Sequence, residues 1–330
     1  MSLRAGDDCR AVAMLGVDAG GTKVIAGPVD ARGRVLAEPI TDPSQTRDTA
    51  SFMKGLISTL KRARAEFAIP LGGVGMACAG TVDPVQGIVV TSPNLPLERV
   101  PLREILEQAL DMPVVLENDA NAAVLAEATA GVASGLKHVV MLTLGTGVGG
   151  GLYLDGRLYR GVGGGAAELG HTIVLVDGEP CRCGSRGCLE MYASGKALAR
   201  AGVRRAGSVD LDPRGALAEL HSRGELDGAQ VARLAQEGYP GAMAAVDEVA
   251  RWLGMGLVNL TNTFNPEMIV VGGGVSALGE LLLQPARELV REIALPPNKD
   301  QVQVAAAALG NTAGLVGGGL VAWEKLQPAG

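Results

Sequence analysis

Short apolar runs alternate with polar, glycine-rich turns along this chain, and the period of the pattern changes where strands give way to helices. "AVAMLGVD" (residues 11–18) is a nearly continuous apolar run that closes on an acid. "AGGTK" follows it, then "VIAGPVD" (residues 24–30) and, after another turn, "RGRVLAEPI" (residues 32–40). Runs of this length between tight turns predict three strands in a meander. From Asp48, "DTASFMKGLISTLKRARAEF" switches to helical spacing with an acid at its start. A buried strand at 71–80, a helix at 100–110, a strand at 113–119 and a helix at 120–131 complete the first half.

The opening then recurs. "HVVMLTLGTGVGGGLYLDGRLYRG" is again strand, Gly/Thr turn, strand and turn, followed later by a helix at 242–264 and a strand in "EMIVVGGG". The interval is far longer than a solenoid repeat, so it predicts two related domains rather than an array. The expected division is a small N-terminal α/β domain, residues 1–122, completed by a C-terminal helix at about 312–330, and a larger α/β domain at 123–311.

Composition narrows the class. A chain of 330 residues can bury two cores. Its net charge of −6 argues against a general nucleic-acid binder. No uncharged apolar run reaches the ~18 residues of a membrane span without being broken by Gly-rich turns, and the N-terminus reads without a signal peptide. A cytoplasmic protein with neither nucleic acid nor membrane as partner is expected. Aromatic residues make up only 3%, which favours ligand recognition by hydrogen bonds over stacking.

Three glycine-rich turns could meet phosphates. "DAGGTK" (residues 18–23) and "LGTGVGGG" (residues 144–151) each join two strands, and their backbone N–H groups and threonine hydroxyls can form an anion nest. Either alone reads equally as a plain hairpin turn; matching turns at the heads of two similar halves suggest a clamp on one polyphosphate. "VVGGGVS" (residues 270–276) follows a strand and precedes a helix, which suits a nucleotide or tight strand–helix packing. "LENDANAAV" (residues 116–124) places Glu117, Asn118 and Asp119 where a strand ends and a helix begins. Helix capping explains such residues. The same edge is also where α/β sites hold reactive groups, and a helix N-terminus favours an ionised carboxylate able to act as a base.

"GHTIVLVDGEPCRCGSRGCLE" (residues 170–190) holds three of the five cysteines and one of three histidines. One nitrogen and three sulfurs from His171, Cys181, Cys183 and Cys188 suit tetrahedral zinc. A reducing cytoplasm disfavours a disulfide, and free thiols are the plain alternative. Cys78 reads as a core residue, Cys9 as part of the chain's start, and His138 and His221 as surface residues.

In order and spacing, "DAGGTK", "CAGTVD", "SPNLP", "ENDANAA", "LGTGVGGG", "ELGH", "CRCGSRGCLE" and "IVVGGGVS" together resemble the ROK family of sugar kinases and sugar-responsive repressors, from about Ala11 to Ala322. The resemblance implies an actin/hexokinase-like (ribonuclease H-like) α/β fold: two facing domains with an ATP/sugar cleft between them. It implies phosphorylation of a hexose by ATP with accompanying Mg²⁺, glucose being the first expected acceptor. N-acetylmannosamine is the runner-up, and fructose, N-acetylglucosamine and allose are further options. Asp119 would be the catalytic base. Gly80, Asn94, Asn118, Glu168, His171 and Glu190 would join Asp119 around the sugar. Gly20, Gly21, Thr22 and Lys23 of the first turn, Gly145, Thr146 and Gly147 of the second, and Gly273, Gly274 and Ser276 would hold ATP. The His171–Cys181–Cys183–Cys188 set would carry structural Zn²⁺, and a homo-oligomer, dimer or tetramer, is implied. A repressor would need an N-terminal winged helix, for which the 17 residues before Asp18 are too few. A non-catalytic filament former would leave the sugar-type residues unexplained.

Overall fold

The computed structural model describes residues 13–326. The first two residues of the strand expected at 11–18, Cys9, and residues 327–330 of the expected C-terminal helix lie outside the described residues. The chain forms two compact units. Among the described residues, one holds those up to Ala130, the segment Val162–Gly165 and those from Asn311 to Leu326; the other holds Gly131–Gly161 and Ala166–Gly310.

In the first unit, β1 (Ala13–Ala19), β2 (Lys23–Val29) and β3 (Ile40–Pro43) form the expected antiparallel meander. Strand β4 (Leu71–Cys78) adds in parallel to β1. A small antiparallel sheet of β5 (Thr81–Asp83), β6 (Ile88–Thr91) and β7 (Glu98–Val100) precedes β8 (Val114–Asn118), which pairs in parallel with β4. The main sheet order is β3-β2-β1-β4-β8.

Helix α1 (Thr49–Glu66) begins where the Asp48 carboxylate accepts from Ser51 N at 2.7 Å, and it buries Phe52, Leu56, Leu60 and Ala63 along one stripe. Burying Phe52, Leu56 and Leu60 contributes roughly 1.5–3 kcal/mol each. Helix α2 (Leu102–Leu110) buries Leu102, Leu106 and Leu110 at the same spacing and joins the same core. Helix α3 (Asp119–Ala130) belongs whole to this unit, packed with the chain's last helix, Ala313–Leu326. Glycines permit that packing. A Cβ on Gly75 of β4 would collide with the Gly318 carbonyl, and one on Gly317 with the Ala122 carbonyl.

The strand expected at 32–40 is corrected by the structure. Asp30 accepts from Arg32 N and Arg34 N at 2.9 Å each and from Arg34 Nε at 2.6 Å, which winds the chain into a turn. Only Val35 makes a bridge, to Val29, and the third strand begins at Ile40. Local bonding of an aspartate to nearby backbone N–H groups overrides the apolar alternation there.

The second unit repeats the plan. Strands β9 (Val139–Leu144) and β10 (Val148–Leu154) form a hairpin, β11 (Arg157–Leu158) extends it antiparallel, and β12 (Met268–Gly272) and β13 (Gln303–Ala306) add in parallel. The order β11-β10-β9-β12-β13 reproduces the strand senses of the first sheet. Between β11 and β12 come α4 (Glu190–Ala193), α5 (Gly195–Val203), α6 (Ala216–Ser222), α7 (Gly228–Gln236) and α8 (Pro240–Phe264). Then α9 (Glu280–Ile293) packs on α8, and α10 (Asn298–Gln301) leads into β13. No helix among the described residues is long and apolar enough to cross a membrane.

Candidate active site and metal centre

The first unit gathers polar groups at the ends of parallel strands. Asn118 closes β8 and caps α3, its Oδ1 accepting from Ala120 N at 2.9 Å and Asn121 N at 3.1 Å. Its amide Nδ2 donates to Gly80 O at 2.9 Å and to Asp119 Oδ1 at 3.1 Å. The capping role of this motif therefore falls to Asn118. Asp119, the first residue of α3, is exposed, and its Oδ1 also accepts from Ala120 N. Glu117 is buried, its Oε1 taken by Asn118 N and Asn121 Nδ2. Gly80 has φ 115° and lies against the backbone of Thr91 and Ser92, a position that only glycine takes without strain.

The β1–β2 turn closes through Gly20 N donating to Lys23 O at 3.0 Å, with Thr22 exposed. Gly21 lies against Asn94: a Cβ on it would stand 3.0 Å from the Asn94 carbonyl. The first glycine turn, expected to meet phosphate, and one expected sugar contact thus adjoin. Asp18, to which the sequence motifs gave no role, is the next-to-last residue of β1, with its carboxylate against Gly314 in the first turn of the last helix. Burial pushes the Asp18 carboxyl up to about 6, the neighbouring Asp119 charge adds to this, and Lys23 opposes it. The legible signal was an acid closing a buried apolar strand.

In the second unit the β9–β10 turn closes through Gly145 N donating to Gly147 O at 3.0 Å, leaving Thr146 exposed. Glu190, the first residue of α4, reaches this turn, its Oε2 accepting from Val148 N at 3.0 Å. Gly273, with φ 85°, packs against the Leu144 backbone, and Ser276 Oγ donates to Gly273 O at 2.7 Å. A cavity of about 440 Å³ opens beside the turn, lined by Gly145, Thr146 and Gly274 together with Lys196, Asp227 and Gly228. Gly273 and Ser276 are not on that lining. Lys196 and Asp227 were missed by sequence reading; both sit at helix starts written as a polar cap beside a glycine, "SGK" and "DGA".

Glu168 is exposed, and His171 ends the short 3-10 turn Leu169–His171, its backbone N donating to Glu168 O at 3.0 Å. From there the chain folds back on itself, with bridges Ile173–Cys188 and Pro180–Arg186. The donor atoms of His171, Cys181, Cys183 and Cys188 converge within 4.8 Å of one another. His171 Nδ1 lies 3.6 Å from Cys181 Sγ, and Cys183 Sγ lies 3.6 Å from Cys188 Sγ. Sulfurs bound tetrahedrally to zinc at ~2.3 Å lie about 3.8 Å apart, so this donor set fits that ion. The cysteines are free thiols. Cys78 is wholly buried, as expected, and burial pushes its thiol up to about 12.

With the two hairpin-headed sheets, the acid at a helix start and the Cys₃His cluster described, the class of protein is fixed by comparison. The chain belongs to the ROK family, whose pattern it matches over residues 14–325. It is 39% identical over 312 residues to the glucokinase of Streptomyces coelicolor, covering 94% of this chain and 97% of that one. The ROK family glucokinase of Streptomyces griseus, solved in complex with glucose and AMPPNP, superposes with a TM-score of 0.81 at 37% identity, covering 94% of this chain and 99% of that one. The fold is accordingly the actin/hexokinase-like α/β fold. The xylose repressor of Caldicellulosiruptor bescii is 32% identical over 263 residues, which is 79% of this chain but 65% of the repressor.

Proposed function

We propose that the chain is an ATP-dependent glucokinase, converting glucose and ATP to glucose 6-phosphate and ADP. The observation that carries this reading is the nearly complete, two-way coverage between this chain and glucokinases. Asp119 takes the proton from the 6-hydroxyl as that oxygen attacks the γ-phosphorus, and ADP leaves with the broken bond's electron pair. Its exposure at the start of α3 suits a base that must reach a substrate. Gly80, Asn94, Asn118, Glu168, His171 and Glu190 hold sugar hydroxyls. For Glu190, Val148 N engages Oε2 and leaves Oε1 for the sugar.

The turns at Gly20–Lys23 and Gly145–Gly147 hold phosphates, and the cavity at Gly274 takes the nucleoside end, where Lys196 and Asp227 supply polar contacts. Mg²⁺ arriving with ATP neutralises phosphate charge. Structural Zn²⁺ on His171, Cys181, Cys183 and Cys188 fixes the segment that bears Glu168 and Glu190. A cytoplasmic homo-oligomer, dimer or tetramer, completes the reading.

The test is ADP release with Mg·ATP across glucose, N-acetylmannosamine, N-acetylglucosamine, fructose, mannose and allose. Strong preference for glucose is expected. Preference for an N-acetylated sugar keeps the chemistry and changes the substrate; no turnover on any sugar in folded, zinc-loaded protein overturns the kinase reading and favours a sugar-sensing regulator.

A further inference from the structure

The second sheet ends at β13, and beyond it lies a pocket of about 240 Å³ that belongs to none of the groups described above. Three cations line it: Arg287 and Arg291 from α9 and Lys299 from α10. Residues four apart on a helix share a face, and like charges at that spacing destabilise the helix unless something counters them. Arg287 is partly countered. Its Nε donates to Val304 O at 2.8 Å, which caps the free edge of β13, and its Nη1 pairs with Glu280 at 2.6 Å. Arg291 and Lys299 are not: among the described residues, neither side chain has a hydrogen bond or ion pair. Their acidic chain neighbours, Glu292 and Asp300, do not line the pocket.

A solvated surface usually spreads its cations apart. Here three converge on one concavity, and one of them is already locked in place by the sheet edge. The pocket is smaller than the ~300 Å³ at which pockets for drug-sized ligands begin, so it suits a compact anion and not a nucleotide. A β-strand partner is disfavoured because Arg287 already occupies the Val304 carbonyl.

We propose that this pocket binds a compact phosphate-bearing anion, with Arg291 and Lys299 as its direct ligands and Arg287 holding the wall behind them. The ligand's phosphate oxygens accept charge-assisted hydrogen bonds from the guanidinium and the ammonium. The site is independent of the kinase reading.

The test uses the full chain with glucose and Mg·ADP at saturation, so that the nucleotide cavity is filled. Inorganic phosphate and methyl phosphate are titrated separately, by calorimetry and by thermal shift, against sodium chloride at equal ionic strength. Phosphate is expected to bind and to raise the melting temperature beyond the chloride control. In the double variant Arg291→Gln/Lys299→Gln, affinity falls at least tenfold while kcat and KM for glucose are unchanged. Arg291→Lys, which keeps the charge, retains binding within a few-fold. Equal binding of methyl phosphate identifies a phosphomonoester site, and its exclusion identifies free phosphate. Phosphate acting no more strongly than chloride, or acting equally on the double variant, overturns the proposal.

Discussion

Glu190 Oε2 and Val148 N are joined by a 3.0 Å hydrogen bond, so the residue that follows the cysteine loop is anchored to the turn between β9 and β10. The contact is close: a side chain on Gly147 would occupy the place of the Glu190 carboxylate. Gly147→Ala is therefore expected to displace Glu190 and to raise KM for both glucose and ATP. Glu190→Ala leaves a half-buried backbone N–H without its acceptor, a loss of about 1–3 kcal/mol. Glu190→Gln keeps an acceptor there and is expected to raise only the glucose KM. Steady-state kinetics on the three variants, with thermal melts, separate these outcomes.

Asp119→Asn should lower kcat by about 10²–10⁴-fold, the usual contribution of a general base, while glucose still binds. The start of α3 survives this change because Asn118 Oδ1 caps both Ala120 N and Asn121 N, and an asparagine at 119 keeps an oxygen that can accept from Ala120 N as Asp119 does. Calorimetric binding of glucose to the variant checks the fold and the role together. Turnover within tenfold of the parent would remove Asp119 as the base.

Elemental analysis of the purified chain should find one zinc per molecule, since one Cys₃His set converges. Stripping it with a chelator, or changing Cys181 to Ser, is expected to lower the melting temperature and raise the glucose KM, with a smaller change in kcat at saturating sugar. Unaltered stability in a chain shown to be metal-free would exclude a structural ion at this cluster.

Asp18 sets a pH dependence of stability. Its carboxyl moves from an ordinary 3.8 to about 6 in the folded chain, chiefly by burial and then by the Asp119 charge. The folded state therefore holds this proton where the unfolded chain has released it. The stability from this group is fully present below about pH 4 and is lost as pH rises through about 6. Asp18→Asn, which carries no charge, should be more stable than the parent at pH 7.5. The gain is up to about 3 kcal/mol, because each tenfold change in acidity is worth about 1.4 kcal/mol. The gap should shrink towards pH 4.5. Urea unfolding at both pH values, without nucleotide, tests the sign; a gap independent of pH rejects it.

Gly75→Ala and Gly317→Ala should each destabilise the first unit by several kcal/mol. The added methyl meets a backbone carbonyl, of Gly318 or Ala122, and main chain packed against main chain cannot swing aside as a side chain can. Gly145→Ala is the control, because a Cβ there meets nothing; its melting temperature should stay near the parent's.

Much of the fold was legible because strands and helices in this chain carry clean periods. Helix α1 announces itself with Asp48 and a four-residue apolar spacing, and both hairpins with their glycine-threonine turns. What escaped reading depends on contacts distant in sequence. The turn at Asp30 replaced an expected strand because one carboxylate collects three donors. Helices α5 and α7 bring Lys196 and Asp227 to the cavity, although these lie about 50 and more residues after the turn they adjoin. Motif order marks which residues could act; it carries no signal for Glu190 binding the Val148 amide.

The glycine-lined seat of the last helix has a consequence for synthesis. Strand β1 is made long before the helix that covers it, Ala313–Leu326. At ~5–20 residues per second, the gap of roughly 300 residues lasts roughly 15–60 s. Through that interval the nascent first sheet keeps one apolar face open to solvent. The first unit therefore completes its fold only after Ala313–Leu326 has emerged, although most of its sequence has emerged long before. A chaperone that shields apolar sheet faces would have its longest window on this first sheet.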